Sequence, residues 1–311
     1  MQVAGIRTVD ARVELLEVAE PRPLADDEVL LEVTAAGVGN WDEYVRTGTW
    51  DVGRRPPMAL GVEAAGTVLA AGKAVRRWEP GDAVMTHPLP LRDHGTWAPQ
   101  LIAPAGLLAA KPAAASWAAA AAFPVPALTA EQVLGDALKI HAEEQLLIHG
   151  AGGVTGGLLV ALAVLRGAHV IATAGPASQH RVATLGASHV IDYHESDWPD
   201  QVRALTGGRG VDGAANAVPR GAATAIRAVA DRGRLATITS DPPIQERGIT
   251  VASVYIRPDG AQLRRLAKHF AAGQLPIPVA AGYRLRDAAQ ALSQATGGHT
   301  HGAVTLTVTG H

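Results

Sequence analysis

The sequence predicts an α/β protein: a doubly wound parallel sheet in the middle of the chain, and a β-rich unit contributed by both chain ends. Three observations carry this. From residue 125 to 256 short apolar strands alternate with helical segments, the order of a parallel sheet with right-handed crossovers. Residues 1–124 read as short strands punctuated by Gly61, Gly66, Gly72 and Gly81, an all-β, partly open barrel. Residues 257–311 are too few to bury a core of their own, so they return to the first unit.

The N-terminal stretch MQVAGIRTVDARVEL alternates apolar and polar residues like a strand, and lacks the basic and apolar regions of a signal peptide. Val29–Thr34, Val62–Leu69 and Asp82–Met85 are expected strands. In the central unit a helix over Thr129–Leu138 precedes a strand at Gln145–His149, a glycine loop at Gly150–Gly156 and a helix at Leu158–Leu165. A strand follows at His169–Thr173, a helix near Ser178–Leu185, a strand at His189–Asp192 and a helix near Pro199–Leu205. The series continues with a strand at Val211–Asn216, a helix near Ala222–Ala230, and strands at Arg234–Thr239 and near Thr250–Tyr255. After Pro258 come an amphipathic helix at Gln262–Ala272, the segment Ala288–Gln294 and a last strand at Ala303–Val308.

Composition narrows the function classes. At 311 residues, 48% hydrophobic and 18% charged, with net charge −2, the chain suits about two globular domains and offers no electrostatic case for a nucleic-acid partner. The nearest candidate for a membrane span, Ala113–Ala122, is ended by Phe123-Pro124-Val125-Pro126 and is too short to cross. Cysteine is absent, which excludes disulfides, thiol catalysis and Cys-ligated metals, and fits a cytoplasmic protein.

The strongest chemical signal is LLIHGAGGVTGGLLVALA. A strand delivers the chain to Gly150, and Gly152, Gly153 and Gly156 follow before the helix runs on from Gly157. A turn of this kind lets a pyrophosphate approach free N–H groups at a helix N-terminus, and its last glycine lets helix and strand pack closely. Strand before and helix after favour a dinucleotide-binding signature, the alternative being an ordinary glycine-rich βα turn. An NAD site places an acidic residue about 20 positions on. Counting from Gly153 reaches Thr173, and no Asp or Glu occurs between Val170 and His180. Ser178, His180 and Arg181 are there instead, so NADPH is favoured over NADH. Arg181 pairs with a 2′-phosphate or is a solvated helix residue.

The motifs resemble those of the medium-chain dehydrogenase/reductase superfamily, in its zinc-free quinone oxidoreductase branch, the zeta-crystallin-like proteins. The similarity runs over essentially the whole chain. Gly39-Asn40-Trp41-Asp42-Glu43-Tyr44-Val45-Arg46-Thr47-Gly48 matches the branch's Asn-x-x-Asp-x-Tyr-x-Arg-x-Gly segment. Pro57-x-x-x-Gly61-x-Glu63-x-x-Gly66, Gly81-Asp82-x-Val84, His94-Gly95-Thr96-Trp97-Ala98 and Pro126-x-x-Thr129-Ala130 follow in order. The glycine loop, Leu185-Gly186-Ala187 and Ile191-Asp192-Tyr193 complete the set.

The resemblance implies a GroES-like catalytic barrel from residues 1–124 and 257–311, and a Rossmann-type nucleotide-binding domain from residues 125–256, with the cofactor in the cleft between them. It implies hydride transfer from NADPH to a quinone or an α,β-unsaturated carbonyl compound, by a homodimer. Asn40 and Tyr44 are the catalytic candidates, polarising the substrate oxygen. Their plainer alternatives are a side chain bonding its own turn and a ring packed at the barrel mouth. Asp42 is read as stabilising the turn. The cofactor contacts are Thr129, Gly150, Gly152, Gly153, Val154, Thr155, Gly156, Thr173, Ser178, His180, Arg181, Tyr193 and Asn216. Trp41, Trp50 and Trp97 line an apolar substrate cleft or belong to the core.

A catalytic zinc needs three protein ligands. Zinc-dependent relatives have Cys and His where this chain has Gly39 and Val62, so no zinc is expected. His87 and His94 are the one close histidine pair in the barrel half, read as surface or turn residues; His299 and His301 are read as solvated. Three departures stand out. Trp50 replaces the tyrosine proton donor of enoyl-thioester reductases, and an indole N–H is no general acid near neutral pH. Gly302-Ala303 replaces Gly-Lys before the last strand. Val154-Thr155 replaces Gly-Val in the loop, where Thr155 could bond a phosphate oxygen. The alternatives to a quinone or enone reductase are a natural-product tailoring reductase or cyclase and a non-catalytic NADPH-binding protein.

Overall fold

The computed structural model describes residues 1–298 and 300–309; His299 lies outside the described residues. The chain divides into two compact units, Met1–Val125 with Arg257–His311, and Pro126–Ile256.

The first unit opens with β1 (Gln2–Ile6), β2 (Glu14–Glu17) and the long β3 (Glu28–Val38). The segment read only as a motif is a helix, α1 (Asn40–Arg46), with acidic Asp42 and Glu43 in its first turn and Arg46 in its last, the charge order the helix dipole favours. Then come β4 (Met58–Ala59), β5 (Ala64–Ala71), β6 (Ala83–Thr86), β7 (Gln100–Pro104), β8 (Leu108–Ala110) and α2 (Trp117–Ala121), which Ser116 caps through the amide of Ala119.

Helix α3 (Pro124–Gln132) starts earlier than its expected position and ends in a π-turn over Val133–Ala137. From there β9 (Gln145–His149), α4 (Val154–Leu165), β10 (His169–Thr173), α5 (Pro176–Thr184), β11 (His189–Ile191), α6 (Trp198–Leu205), β12 (Val211–Asn216), the short α7 (Ala222–Ala225), β13 (Val229–Thr237) and β14 (Thr250–Ser253) alternate. The six strands pair throughout in parallel, in the order β11-β10-β9-β12-β13-β14. Leu147, Ile171, Trp198, Val202, Ala214, Ile226 and Leu235 form one buried cluster of this unit. The order reverses between β9 and β12, the switch point at which such sheets take ligands beyond the strand C-termini.

The chain returns through α8 (Gly260–Ala271), β15 (Val279–Arg284), α9 (Ala288–Gly297) and β16 (Ala303–Thr307). Strand β16 pairs antiparallel with β3, and Phe270 of α8 stacks on Phe123 with ring centroids 4.4 Å apart. Both ends therefore share one core. The described residues of this unit form a seven-stranded sheet and a three-stranded sheet, β2-β1-β4. No helix among the described residues is long and apolar enough to cross a membrane.

Candidate cofactor site and barrel cluster

In the central unit β9 runs into Gly150, whose φ of +92° suits glycine. The turn is tied down by Ala151 N–H donating to Thr173 O at 3.0 Å and Gly153 N–H donating to Gly150 O at 3.2 Å. A β-carbon on Gly156 would overlap the Gly150 carbonyl oxygen, so helix and turn approach as closely as backbones can. Helix α4 has neither a side-chain cap nor an acidic residue in its first turn. Its opening N–H groups, with Val154 and Thr155 half-buried beside them, face the turn without a competing carboxylate. This cradle fits a pyrophosphate.

Next to it the last residues of the strands lie in register as one row: Thr173 beside His149, His149 beside Asn216, and Asn216 beside Thr237. Thr173 Oγ1 accepts the Gly150 N–H at 3.1 Å and bonds His149 Nδ1 at 2.7 Å. His149 stacks on Trp198 at 4.6 Å, and burial pushes its pKa down to about 4. Asn216 is wholly buried, with Nδ2 donating to Val218 O and Thr237 Oγ1 at 3.0 Å and Thr239 Oγ1 at 3.1 Å, and Oδ1 accepting from Val218 N at 3.2 Å. Thr173 and Asn216 thus have their polar atoms engaged in holding the turn and the loop after β12.

At the far side Ser178 is buried, with Oγ 3.2 Å from where a β-carbon of Gly152 would stand. Arg181 is not a solvated helix residue and not a free cation. Its Nη2 donates to Gly152 O, and its Nη1 covers Gly157, so it braces the loop from behind; burial lowers its pKa. His180 is exposed. The Tyr193 ring and His194, 4.1 Å apart, crowd Gly175 just past β10. Thr129 is buried on α3.

In the barrel unit the tail of β3 leads into α1 at Gly39. A β-carbon there would overlap the Trp41 indole, which fills the space a side chain at 39 would take. The Asp42 carboxylate accepts the Gly39 N–H at 2.9 Å and so does stabilise the turn. Burial pushes Asp42 up to about 8 against that hydrogen bond. Burial also drives Glu63 well above its usual value, against a hydrogen bond from the Val125 N–H and with help from Asp42. Burial thus favours the protonated form of both carboxyls at this end of the barrel. Asn40 and Tyr44 are exposed. Trp41 Nε1 is buried without a partner. Trp50 is half-buried and helps line a cleft of about 270 Å³ with Val9, Val45, Arg54, Arg55 and Met58.

Two sequence readings need correction. Trp97 cannot line a substrate cleft: it is 0% exposed, its Nε1 donates to Gly37 O at 3.0 Å, and Gly61 (φ +92°) leaves the room its ring takes. His87 and His94 are not surface residues but buried ones, 1% and 6% exposed. His87 Nδ1 lies 2.7 Å from Val62 O, an acceptor, so Nδ1 carries the proton and Nε2 is a bare lone pair, unpartnered and near Trp50. Burial holds its pKa down at about 4. His301 is exposed. Among the described residues no group of three or more His, Asp or Glu stands ready to hold a metal. The sequence reading also passed over His149, Thr237, Thr239 and Asp241. The available signal was a polar residue closing each apolar strand, then the spacing Thr237-x-Thr239-x-Asp241.

Residues 25–113 match the family model of the alcohol dehydrogenase GroES-like domain, and residues 185–306 that of the zinc-binding dehydrogenases. Over 194 residues the chain is 38% identical to erythronolide synthase EryA2 of Saccharopolyspora erythraea, a match covering 61% of this chain and 5% of that one. Over 188 residues it is 37% identical to a chloroplastic quinone-oxidoreductase homolog of Spinacia oleracea, covering 57% of this chain and 56% of that one. A solved NAD-dependent alcohol dehydrogenase superposes with a TM-score of 0.90 at 28% identity, over 99% of this chain and 100% of the other. With the order of its strands, its glycine turn and these matches together, the chain belongs to the medium-chain dehydrogenase/reductase superfamily, in its quinone oxidoreductase-like branch.

Proposed function

We propose that this protein is an NADPH-dependent oxidoreductase that delivers hydride to a quinone or an α,β-unsaturated carbonyl compound without a metal. The observation that carries the reading is the Gly150–Gly156 turn. It joins β9 to an uncapped helix start beside the switch point of a six-stranded parallel sheet. When bound, the cofactor supplies the hydride. The chain's own residues bind and orient. The turn and the first N–H groups of α4 hold the pyrophosphate, while Arg181 stiffens the loop and adds positive potential behind it. Tyr193 and His194 flank the 2′-phosphate end beside Gly175. The Asn40 amide and the Tyr44 hydroxyl polarise the substrate oxygen, and Trp41 and Trp50 give the substrate apolar walls.

NADPH rather than NADH rests on the missing carboxylate after β10 and on the imidazoles nearby, not on Arg181. The NAD named for one solved relative points the other way, so both coenzymes belong in the test. Metal-free chemistry rests on the donor set, with glycine and valine at positions 39 and 62. Stopped-flow loss of NADPH and NADH absorbance against a panel of quinones and enones should show turnover, faster with NADPH. Tight coenzyme binding without oxidation by any acceptor would instead leave a cofactor-binding protein.

The 38% identity to a polyketide synthase favours a second reading, a reductase acting on natural-product thioesters. Trp50 weighs against it. Thioester enoyl substrates in the same panel separate the two. We infer a homodimer through β14, an edge strand of the sheet, near exposed Tyr255 and Ile244; light scattering on the purified protein reads its mass.

A further inference from the structure

The cleft of about 270 Å³ lies within the first unit, against the helix that carries Tyr44. Val9 of the β1–β2 loop closes one side, Val45 and Gly48 come from the end of α1, and residues 50–58 before β4 close the rest. Val45, Val52 and Met58 are buried and make an apolar floor; half-buried Trp50 makes a wall. The loop is tied down. Trp50 N–H donates to Tyr44 O at 3.0 Å, Gly53 N–H to Asp51 Oδ1 at 2.8 Å, and Leu91 N–H to Val52 O at 2.9 Å. A whole drug-sized ligand fills about 300–1,000 Å³. This cleft is smaller, so it suits one end of a molecule.

The rim is charged, and unevenly. Arg54 and Arg55 stand on it with the carboxylate of Asp51. That carboxylate is partly engaged: Oδ1 holds the Gly53 amide, and Oδ2 is 3.9 Å from Arg55 Nη2, the outer limit of an ion pair, with both side chains mostly in water. Asp10, next to Val9, and Glu43 on α1 are both bound to Arg46. Burial lowers the pKa of His94 and the Arg54 charge adds to that fall, so Arg54 bears on the barrel body although it is exposed. The rim therefore carries an excess of positive charge over an apolar floor and an indole wall. A guanidinium grips a carboxylate through two parallel hydrogen bonds, and an indole face takes a flat conjugated body. We infer that this cleft binds the carboxylate end of an apolar, conjugated ligand. Carboxylated quinones and enones are then the preferred acceptors of the proposed reductase, with Arg54 and Arg55 as specificity-determining residues.

The inference rests on the proposed activity, and its test keeps the two apart. The probes are benzylideneacetone with a para-carboxylate and the methyl ester of the same molecule, compared as the ratio of their kcat/KM values with NADPH. The wild type should favour the acid. Arg54→Gln or Arg55→Gln should lower the acid-to-ester ratio about threefold, and the two together about tenfold, as for exposed ion pairs and charge-assisted hydrogen bonds. Added salt should erode the wild-type ratio and leave that of the double variant flat. Arg54→Lys keeps the charge without the fork and should retain part of the preference. Equal kcat/KM for acid and ester, or a ratio the double variant does not change, overturns the inference and leaves the reductase standing. Cinnamoyl-coenzyme A is a third probe: a loss in the double variant confined to it puts phosphate at the arginines and overturns the inference as well. Equilibrium dialysis of the acid reads the cleft without turnover. If no acceptor oxidises NADPH, arginine-dependent binding of the acid keeps the carboxylate site and removes the reductase, whereas no binding removes both.

Discussion

Gly156, in the first turn of α4, and Gly39, just before α1, both stand where a β-carbon would collide with something already there. At Gly156 the obstacle is backbone, the carbonyl oxygen of Gly150. At Gly39 it is a side chain, the indole of Trp41. The first turn closes on itself within seven residues and serves a ligand through main-chain groups. The second is one part of a tertiary cluster: Asp42 holds the turn locally, and Glu63 comes to Asp42 from elsewhere in the barrel. A motif made of backbone can be read locally. A motif made of side chains depends on what folds against it.

The sharpest way to break this contrast is Gly156→Val. A side chain there has only the backbone to push, so we expect a loss of about 3 kcal/mol or more, the upper range for overpacking, and abolished coenzyme binding. Thermal unfolding and a coenzyme titration would measure both. If binding survives, the close approach at the turn is not what holds the phosphates. Gly39→Ala should be milder, about 2 kcal/mol, because an indole can rotate aside. Trp41→Ala in the same chain should recover part of that loss, a coupling a double-mutant cycle reads directly. Strict additivity would mean that the ring does not fill the place of a side chain at 39.

The effect spread most gradually is a slope with pH, and its sign differs between the two regions. Asp42 has a folded-state value raised from 3.8 to about 8, so it keeps its proton in the native barrel while the unfolded chain loses it. Its contribution is complete below about pH 4 and is lost as pH rises towards 8. His149 is lowered from 6.5 to about 4, so its contribution is complete above about 6.5 and is lost as pH falls towards 4. Each is worth at most about 1.4 kcal/mol per pH unit. Chemical denaturation across pH 4–8 should show Asp42→Asn flattening the alkaline decline and His149→Gln flattening the acid one. His87 is lowered in the same way as His149, so part of the acid decline belongs to the barrel unit and persists in His149→Gln. A slope unchanged in Asp42→Asn would mean that the buried carboxyl is not protonated.

The central sheet was readable almost residue by residue. Strands at Gln145–His149, His169–Thr173 and Val211–Asn216 stand where expected, because fully buried parallel strands are short apolar runs between turns. Strand β15 was missed: VAAGYR alternates weakly, holds a glycine and is mostly exposed, and it is a strand because β16 pairs with it. Helix α1 was missed because its seven residues carry no apolar period, only a turn capped by Asp42. At the site, the glycines were legible from spacing, whereas the engagement of Arg181 with Gly152 O and the burial of His87 were not.

What the sequence determined by itself was the order of elements, the phosphate turn and the family pattern, since each depends on neighbours a few residues apart and on backbone freedom. The tertiary structure decided which polar atoms remain unsatisfied. A side chain's hydrogen bonds depend on partners far along the chain, and burial then sets whether an unpaired lone pair is harmless, as in water, or costly, as at the buried Nε2 of His87.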